Sequence, residues 1–530
     1  DRSSRVHKHG VFEQVFTAST DYGNPLKDVN VAVEFSGPGA VNDEVNDEVN
    51  AFWDGGRTWK VRYSPRRPGS FTWKVTSSDK ALNAQRGKFQ VHEYKGSNAL
   101  YRNGGPGLSF NRRYLVQDDS KPWFFLSDTA WNGALKSTDD EWKRYLDDRA
   151  AKKFTAVQFV MTQWRAGRQD EKGQVAFTGN DPIRINPEFF QRMDRKIQAV
   201  NDSGLVAAPV MLWALASQDK ESPGVGLPTE QAALLARYMA ARYAGHKVIW
   251  ILGGDGDYSG PENEAKWKQI GRTVFPKDRK RQLVGVHPRG MQSPWKAYIE
   301  EPWLDIFFYQ SGHGSDAKKW RWNATQGPAA GWKLEPAHPV IDAEPNYEAH
   351  LSYQGRRKIS DYDVRRAAYY SLLAAPPAGV SYGAHGIWFW SRKAEVPLDH
   401  PRTGVADPWH VCLDYPGANQ MKVLYDSFNS IEWWRLRPER YLLREDRYNE
   451  ETFSNYMMSA VTGENDLGMI YMPDNPEVTL NLSYFRSKVE GTWVDPRTGK
   501  RTNAGTWDEQ PDLKLKRPGD GDWVLILRKV

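Results

Sequence analysis

Strand-like and helix-like stretches alternate through residues 106–435, and this alternation constrains the fold more than any other feature of the chain. Short apolar runs, typical of strands buried on both faces, are each followed by a helical stripe or by room for one. Eight such units in about 330 residues predict an α/β fold, the (β/α)8 TIM barrel. An open doubly wound sheet would need a glycine-rich phosphate loop after its first strand, and the sequence SDTAWNG does not supply one. The predicted strands are Trp123–Leu126, Ala156–Met161, Leu205–Trp213, Val248–Leu252, Gln282–Val286, Asp305–Tyr309, Pro339–Ile341 and Gly386–Trp390.

The two ends of the chain lack this helical period. Residues 1–97 alternate apolar and polar side chains between hairpin-type turns, which predicts an N-terminal β-sandwich. Residues 436–530 hold further strand-like stretches and predict a second β-sandwich. We therefore predict three domains, 1–97, 98–435 and 436–530. The acidic repeat VNDEVNDEVN at Val41–Asn50 favours an extended surface loop over a cation site.

Aromatic residues make up 13% of the chain, with 23 Trp. Exposed aromatic faces stack on sugar rings or on bases, although β-sandwich cores also use Trp heavily. The net charge is only +6, and no zinc finger, basic zipper or RNA-binding aromatic signature accompanies it, so nucleic acid is not expected as a partner. A polysaccharide or oligosaccharide substrate remains, and the mild basic excess leaves an acidic polymer open.

Several classes of protein are excluded or disfavoured by what the sequence lacks. A single cysteine, Cys412, rules out an intrachain disulfide and a multi-cysteine metal site. No HExxH, GxSxG or phosphate-loop motif occurs, and the stretch from Asp255 that begins like a calcium loop has Lys266 where the loop needs Glu, so we predict no metal and no cofactor. No apolar run approaches the roughly 20 residues of a membrane span. The numbering begins at Asp1 without Met, which allows a removed leader, and we expect an extracellular or periplasmic protein of unspecified oligomeric state.

Two acidic residues follow predicted strands at the end of the barrel where such folds carry their chemistry. Asp255 comes after VIWILGG, whose glycines would let the chain turn, and Glu344 comes after the seventh strand. Hydrolysis of a glycosidic bond needs two carboxyl groups on either side of it, one protonated and one ionised. We predict that Asp255 and Glu344 are this pair. The rival of Asp255 is Asp257, and the rivals of Glu344 are Glu348 and Asp342. Strand alternation places Asp342 on the same face as Glu344.

Polar and aromatic residues at the other strand ends would line the same site. Each alone is as compatible with packing, but together they have the composition of a sugar-binding pocket. The predicted substrate-binding residues are Asp128, Trp131, Gln163, Trp164, Trp213, His287, His313, Tyr347, Trp388 and Trp390.

Three of these motifs resemble one family. SDTAW at Ser127–Trp131, IWILGGD at Ile249–Asp255 and VIDAEPNYE at Val340–Glu348 resemble the apiosidase-like glycoside hydrolases of family 140. The resemblance implies a retaining barrel enzyme with Asp255 as acid/base and Glu344 as nucleophile. The stretch from Phe52 to Val75 resembles an accessory sandwich found before such barrels, and the sequence from Glu432 onwards resembles a C-terminal sandwich labelled as collagen-binding in these proteins, a label that we do not take as a function.

The sequence thus predicts a retaining glycoside hydrolase that cleaves a plant or algal polysaccharide or its oligosaccharides. The alternatives are an endo-acting hydrolase of a uronic or sulfated polysaccharide and a non-catalytic carbohydrate-binding protein. A polysaccharide lyase is a weaker alternative, for which His287, His313 and Tyr347 would be the candidate groups.

Overall fold

Eight parallel strands close into a barrel in the order in which they occur along the chain. The computed structural model describes residues 6–39, 44–215, 218–277, 281–444 and 448–530. Nearly every residue of these strands is buried, as their apolar sequences require. The predicted α/β barrel is confirmed. Its strands are Leu126–Thr129, Ala156–Val160, Val206–Trp213, Ile249–Gly254, Leu283–Val286, Ile306–Tyr309, Val340–Asp342 and Val380–Gly383.

The first and last barrel strands lie elsewhere than predicted. The first strand is Leu126–Thr129, so it takes in three polar residues that the apolar criterion placed after the strand. The eighth is Val380–Gly383, and the predicted stretch Gly386–Trp390 falls largely in the helix His385–Phe389. A short apolar run has the same sequence pattern whether it forms a strand or a buried helical turn, and this ambiguity explains the wrong prediction of the eighth strand.

Helices lie between successive strands and cover the barrel. The four longest in the first half are amphipathic, with their apolar stripes against the strands. After the sixth strand the helical segment contains one π-helical stretch, Trp322–Gln326. The helices of this region are Gly133–Lys136, Asp139–Ala151, Pro187–Asp202, Pro223–Gly226, Thr229–Arg242, Pro261–Val274, Trp295–Tyr298, Ala317–Arg321, Gly327–Trp332, Asp361–Ala374, His385–Phe389, Trp409–Cys412 and Pro416–Asn429.

Two sheets at the N-terminus share one apolar core, in which Phe12 stacks on Phe89 at 3.8 Å. The acidic repeat is not a loop where it is described, because Glu44–Asn50 pairs with Val31–Pro38, whereas residues 41–43 lie outside the described residues. One sheet has strands Val6–His7, Arg86–His92, Gly69–Ser77, Val31–Pro38 and Glu44–Asn50, and the other has Phe12–Thr17, Thr58–Tyr63 and Phe52–Trp53.

Two sheets also form the C-terminal region, around a core that includes Trp493 and Leu525. The predicted domain limits at residues 97 and 435 lie outside the strands of both terminal regions and stay predictions. The larger sheet has strands Leu436–Pro438, Met458–Thr462, Leu467–Met472, Trp523–Lys529, Val489–Val494 and Arg501–Trp507, and the smaller has Glu477–Leu480 and Leu513–Lys516.

Smaller elements complete the described chain, in which no helix combines the length and the apolar character needed to cross a bilayer. Three short strands form a sheet just before the barrel, and a two-stranded hairpin follows its second strand. These elements are the helices Pro25–Asp28 and Ala99–Asn103, the strands Gly107–Leu108, Leu115–Val116, Pro122–Trp123, Phe177–Thr178 and Arg184–Ile185, and the 3-10 turns Trp433–Arg435 and Leu482–Phe485.

Candidate active site

Asp255 directly follows the fourth barrel strand, Ile249–Gly254, and takes a left-handed backbone conformation with φ of 49°. Asp is one of the few residues other than glycine that tolerate this region. The two glycines before it belong to the strand, where a Cβ on Gly253 would lie 2.4 Å from the Tyr258 hydroxyl and one on Gly254 would lie 2.6 Å from the Trp213 ring. The glycines therefore allow close packing, and the sharp turn that we predicted at them occurs at Asp255.

Glu344 lies just beyond the seventh strand, with its carboxylate between two histidines that follow the fifth and sixth strands. Its Oε2 lies 3.2 Å from His287 Nε2, and its Oε1 lies 3.0 Å from His313 Nε2. The Asp255 backbone N–H donates to His287 Nδ1 at 2.9 Å. A neutral His287 must therefore carry its proton on Nε2, which faces Glu344. One imidazole thus connects the acid that follows the fourth strand with the acid that follows the seventh.

The two carboxyl groups have pKa values shifted in opposite directions. Burial raises the pKa of Asp255 well above its usual value, and the charge of Glu344 raises it further. Burial alone would also raise the pKa of Glu344, but His287 and His313 outweigh it and hold that pKa at about 2. The site therefore pairs a carboxyl group whose protonated form is favoured with one whose ionised form is favoured. This is the division of roles that acid-assisted attack on a glycosidic bond requires.

The three rival acids are engaged elsewhere. Asp257 forms an ion pair with Arg289 at 2.7 Å. Asp342 accepts a hydrogen bond at 2.8 Å from the Oγ of Ser371, which lies on the helix outside the barrel. The prediction that Asp342 and Glu344 share a face of the strand is wrong, because Glu344 lies past the end of the strand. Glu348 accepts from the Tyr382 hydroxyl at 2.7 Å and from the backbone N–H of Gly417.

Four of the predicted aromatic residues surround this pair. Trp131 contacts Trp213 edge-on, with ring centroids 5.3 Å apart, and lies 5.8 Å from the His287 ring. Trp164 packs on Trp213 at 4.4 Å, and its Nε1 donates to the Asn132 side chain. Tyr347 packs on His313 at 4.3 Å, and burial together with the Glu344 charge raises its pKa well above the usual value.

Gln163 and Trp388 have hydrogen-bond partners other than the acid pair. Gln163 has its amide bonded to the backbone, donating to the Phe177 carbonyl and accepting from the Ala176 N–H at 2.9 Å each, so it fixes the hairpin that follows the second strand. Trp388, on the helix after the eighth strand, donates from Nε1 to His385 Nδ1 at 3.0 Å. Their predicted contacts with substrate stay predictions.

Asp128 and Trp390 do not belong to the site. The Asp128 carboxylate points out of the barrel wall, where it accepts from Arg149 Nε at 2.5 Å and from the Tyr145 hydroxyl at 2.8 Å. Trp390 stacks on Trp409 with ring centroids 4.7 Å apart and also contacts Tyr145. Both predictions are corrected, because strand alternation turns Asp128 towards the covering helix and Trp390 lies past a helix rather than in a strand.

Sequence reasoning missed three groups near the pair. Burial raises the pKa of Tyr353, and the charges of Glu344 and Asp255 raise it further, which places this phenol beside both acids. Arg289 and Arg165 act on Asp255 in the opposite direction and lower its pKa. Arg165 and Arg289 could have been noticed, because Arg165 directly follows Trp164 and Arg289 lies two residues after His287.

Histidines are unusually frequent here, since the His313 ring lies 4.5 Å from His350, which lies 5.0 Å from His385. In the described parts of the chain, no three or more histidine, cysteine or acidic side chains are placed so as to hold a metal ion. Instead, His385 Nε2 faces the Gly404 carbonyl and His350 Nδ1 faces the Leu351 carbonyl. These two rings therefore support the loops around Glu344.

A parallel eight-stranded barrel with such a carboxyl pair at its mouth defines a glycoside hydrolase, and comparisons with known proteins agree. Residues 109–435, more than half of the chain, match the family described as "Apiosidase-like, catalytic domain". The chain therefore belongs to the apiosidase-like family of glycoside hydrolases, and its substrate is a carbohydrate. Residues 5–78 match a domain family of unknown function, DUF5060, and residues 438–528 match the "Putative collagen-binding domain of a collagenase".

Two solved structures are similar over most of the chain. One, described as a glycoside hydrolase, is 24% identical with a TM-score of 0.70, and the match covers 80% of this chain and 97% of that one. The other, a glycoside hydrolase family 5 protein from Bacteroides vulgatus, is 23% identical with a TM-score of 0.70, and the match covers 81% and 93%. At this identity both support the fold alone. Among curated proteins, no sequence matches the chain significantly.

Proposed function

We propose that this glycoside hydrolase retains the configuration of the sugar it releases, with Glu344 as nucleophile and Asp255 as acid/base. The observation that carries the proposal is the position of His287, which contacts both the Asp255 backbone and the Glu344 carboxylate. The pKa values of these two carboxyl groups are shifted in opposite directions. Asp255, protonated in the resting enzyme, would give its proton to the leaving oxygen while Glu344 attacks the anomeric carbon. Asp255 would then deprotonate the water that releases the sugar from Glu344.

The surroundings of Glu344 favour attack on carbon over activation of water. A general base works best when its pKa lies near the working pH, and a pKa of about 2 makes Glu344 a poor base. The same low pKa makes its carboxylate a good leaving group when the glycosyl-enzyme ester is cleaved. An inverting enzyme would need the opposite property, because its ionised carboxylate must take a proton from water.

A lyase reaction has less support. It needs a base able to remove a proton from carbon, and the Tyr347 phenol has a raised pKa that leaves it protonated. His287 and His313 direct Nε2 at Glu344 instead of at open space. A purely carbohydrate-binding role is set aside, since the chain belongs to a family of catalytic domains.

For the substrate we propose a plant or algal polysaccharide or its oligosaccharides. Trp131, Trp164 and Trp213 pack on one another beside His287 and give the site a rigid aromatic wall. Arg165 and Arg289 lie close enough to lower the pKa of Asp255, and they would favour a substrate that carries acidic groups. An endo-acting hydrolase of an acidic polymer is therefore the second candidate.

Product analysis with wild type and Glu344→Gln tests the proposal. Both proteins would be incubated with pectic oligosaccharides and with anionic algal and plant polysaccharides, and the anomeric form of the first product would be read by proton NMR. We expect wild type to release a sugar with retained configuration. Turnover by Glu344→Gln should fall by about 10⁴-fold or more, because the attacking oxygen is replaced by a neutral amide.

Asp257→Asn serves as the matched control, because it alters the acid two residues from Asp255 whose carboxylate is bound to Arg289. It should keep activity within about tenfold of wild type. Inverted product would refute the nucleophile assignment. Ultraviolet-absorbing unsaturated product would show a lyase, and a ladder of oligosaccharides would show endo action.

A further inference from the structure

A cavity of about 500 Å³ opens at the same end of the barrel as the acid pair. It lies between the loop after the second strand and the loop after the third. Trp164 and Phe177 give it aromatic walls, and Asn180 and Thr178 give it polar ones. A pocket with aromatic faces and a few polar groups is the common form of a sugar subsite.

The cavity is joined to the acid pair through packed rings. Trp164, in its wall, lies 4.4 Å from Trp213, which lies 6.5 Å from the His287 ring that contacts Glu344. Arg165, the next residue after Trp164, lowers the pKa of Asp255. The cavity is thus separated from the acid pair by the rings of Trp164, Trp213 and His287.

The charged side chains around the cavity are two cations, Arg168 and Lys220, and two anions, Glu221 and Asp399, both of which pair with Arg168. Arg168 forms ion pairs with Glu221 and with Asp399, both at 2.9 Å, which fix its position while leaving half of its side chain exposed. The Lys220 side chain is exposed and has no hydrogen-bond or ion-pair partner within the part of the chain that the structure describes. Lys220 is thus the cation that remains available to a ligand.

We propose that this cavity is a substrate subsite for a sugar unit bearing an anionic group, a carboxylate or a sulfate ester, and that Lys220 binds this group. The cavity accommodates a further sugar of the chain held at the acid pair, among Phe177, Thr178 and Asn180, with the anionic group towards Lys220. This inference rests on the proposed function, because the subsite has a role only if a sugar chain is cleaved at Asp255 and Glu344.

Calorimetric titration of the full chain tests the subsite separately from catalysis. Glu344→Gln, and the same protein with Lys220→Gln, would be titrated with oligogalacturonides and with their carboxyl-reduced forms. Sulfated galactan oligosaccharides and their desulfated forms would make the second arm. We expect Lys220→Gln to weaken binding of one anionic series about fivefold, to leave its neutral counterpart unchanged, and to lose the difference at high salt.

Two further variants make the test specific. Lys143→Gln removes an exposed lysine on an outer helix and should change nothing. Thr178→Trp fills the cavity and should weaken binding of both the anionic and the neutral forms. The series that depends on Lys220 identifies the group as carboxylate or sulfate.

The subsite is refuted if neither anionic series binds, if Lys220→Gln weakens charged and neutral forms equally, or if Thr178→Trp binds as tightly as the parent protein. Failure of the proposed function would appear differently. In that case Glu344→Gln would still cleave the oligosaccharides, whatever the effect of Lys220.

Discussion

The ionisation of Glu344 depends on two imidazoles that hold its two oxygens from different loops. Burial by itself would favour the neutral acid, as it does at Asp255. His287 is fixed by the Asp255 N–H, whereas His313 has a buried Nδ1 for which the described residues offer no hydrogen-bond partner. His313 faces Glu344 through its other ring nitrogen, Nε2, which lies 3.0 Å from Oε1.

Replacing His313 should therefore shift the pH dependence of activity. In the wild type the pKa of Glu344 is lowered, so its ionised form is lost only as the pH falls through about 2. His313→Ala removes one donor to the ionised form and raises that pKa. We expect the acid limb of the kcat/KM profile to move to higher pH by about one unit. The apparent pKa of that limb belongs to Asp255 and Glu344 together, because the two groups titrate as a coupled pair.

His313→Gln, whose amide can donate from the place of Nε2, should restore much of the shift. His410→Ala, at an exposed position away from the site, is the matched control and should leave the profile unchanged. An acid limb that stays in place in His313→Ala, with kcat reduced, would assign His313 a purely structural role.

At the scale of secondary-structure elements, the sequence predicted six of the eight barrel strands to within one or two residues. Those strands are continuous apolar runs, and such runs can be recognised in the sequence because strands buried on both faces need apolar residues at every position. The first strand was misplaced because it contains Ser127, Asp128 and Thr129, whose burial depends on the helix that covers them. The eighth was misplaced because the apolar run around Trp388 belongs to a buried helix, His385–Phe389.

The candidate site was predictable only in part, for a related reason. The positions of Asp255 and Glu344 follow from strand ends, which the sequence shows. Which way Asp128 points, and that two histidines converge on Glu344, depend on contacts between loops far apart in the chain. Tyr353 illustrates the limit, since nothing in its local sequence indicates that it lies near both acids.

The loops after the sixth and seventh strands are bound together beneath the site. Asn346 accepts a hydrogen bond from the buried Lys319 ammonium and donates from Nδ2 to the Gly314 carbonyl at 2.8 Å. Gly314 follows His313, and Asn346 lies two residues after Glu344. This amide therefore fixes the distance between Glu344 and one of its two histidines.

Asn346→Ala should lower both stability and kcat. It leaves a buried carbonyl without its donor and a buried ammonium without its acceptor, which costs about 2 kcal/mol. Because Glu344 and His313 lose their fixed spacing, kcat should fall by a larger factor than KM rises. Calorimetric melting and steady-state kinetics measure the two effects. Asn263→Ala, at an exposed helix position, is the control, and a destabilised Asn346→Ala with wild-type kcat would contradict the positioning role.

At the scale of the whole molecule, buried ion pairs attach both terminal regions to the barrel. Arg62 of the N-terminal sheets pairs with Asp194 at 2.7 Å. On the other side, Arg365 of the helix Asp361–Ala374 pairs with Asp522 through two hydrogen bonds of 2.9 and 2.7 Å. The same helix is covered by the C-terminal sheet, where Tyr369 stacks on Tyr471 at 4.7 Å. These contacts make the terminal regions part of the barrel's outer wall.

Asp522→Ala should therefore destabilise the barrel as well as the C-terminal sheet. Asp522 is 1% exposed, and its loss removes both of its hydrogen bonds from Arg365, which keeps Asp361 as a carboxylate partner at 2.7 Å. The lost hydrogen bonds involve charged groups, so we expect a cost of about 2 kcal/mol. Scanning calorimetry should show a lower melting temperature for the transition that includes the barrel.

Asp520→Ala provides the comparison, since Asp520 lies two residues away and is fully exposed, 3.8 Å from Arg517. It should melt within about one degree of wild type, because exposed ion pairs contribute little. If Asp522→Ala instead split off a separate early transition and left barrel melting and hydrolysis unchanged, the C-terminal sheet would be an appendage. A joint decrease in the melting temperature of the barrel and in the rate of hydrolysis would show that the C-terminal sheet supports the site. The helix Asp361–Ala374 would then transmit this support, because its Ser371 bonds Asp342, which accepts from the Glu344 backbone N–H.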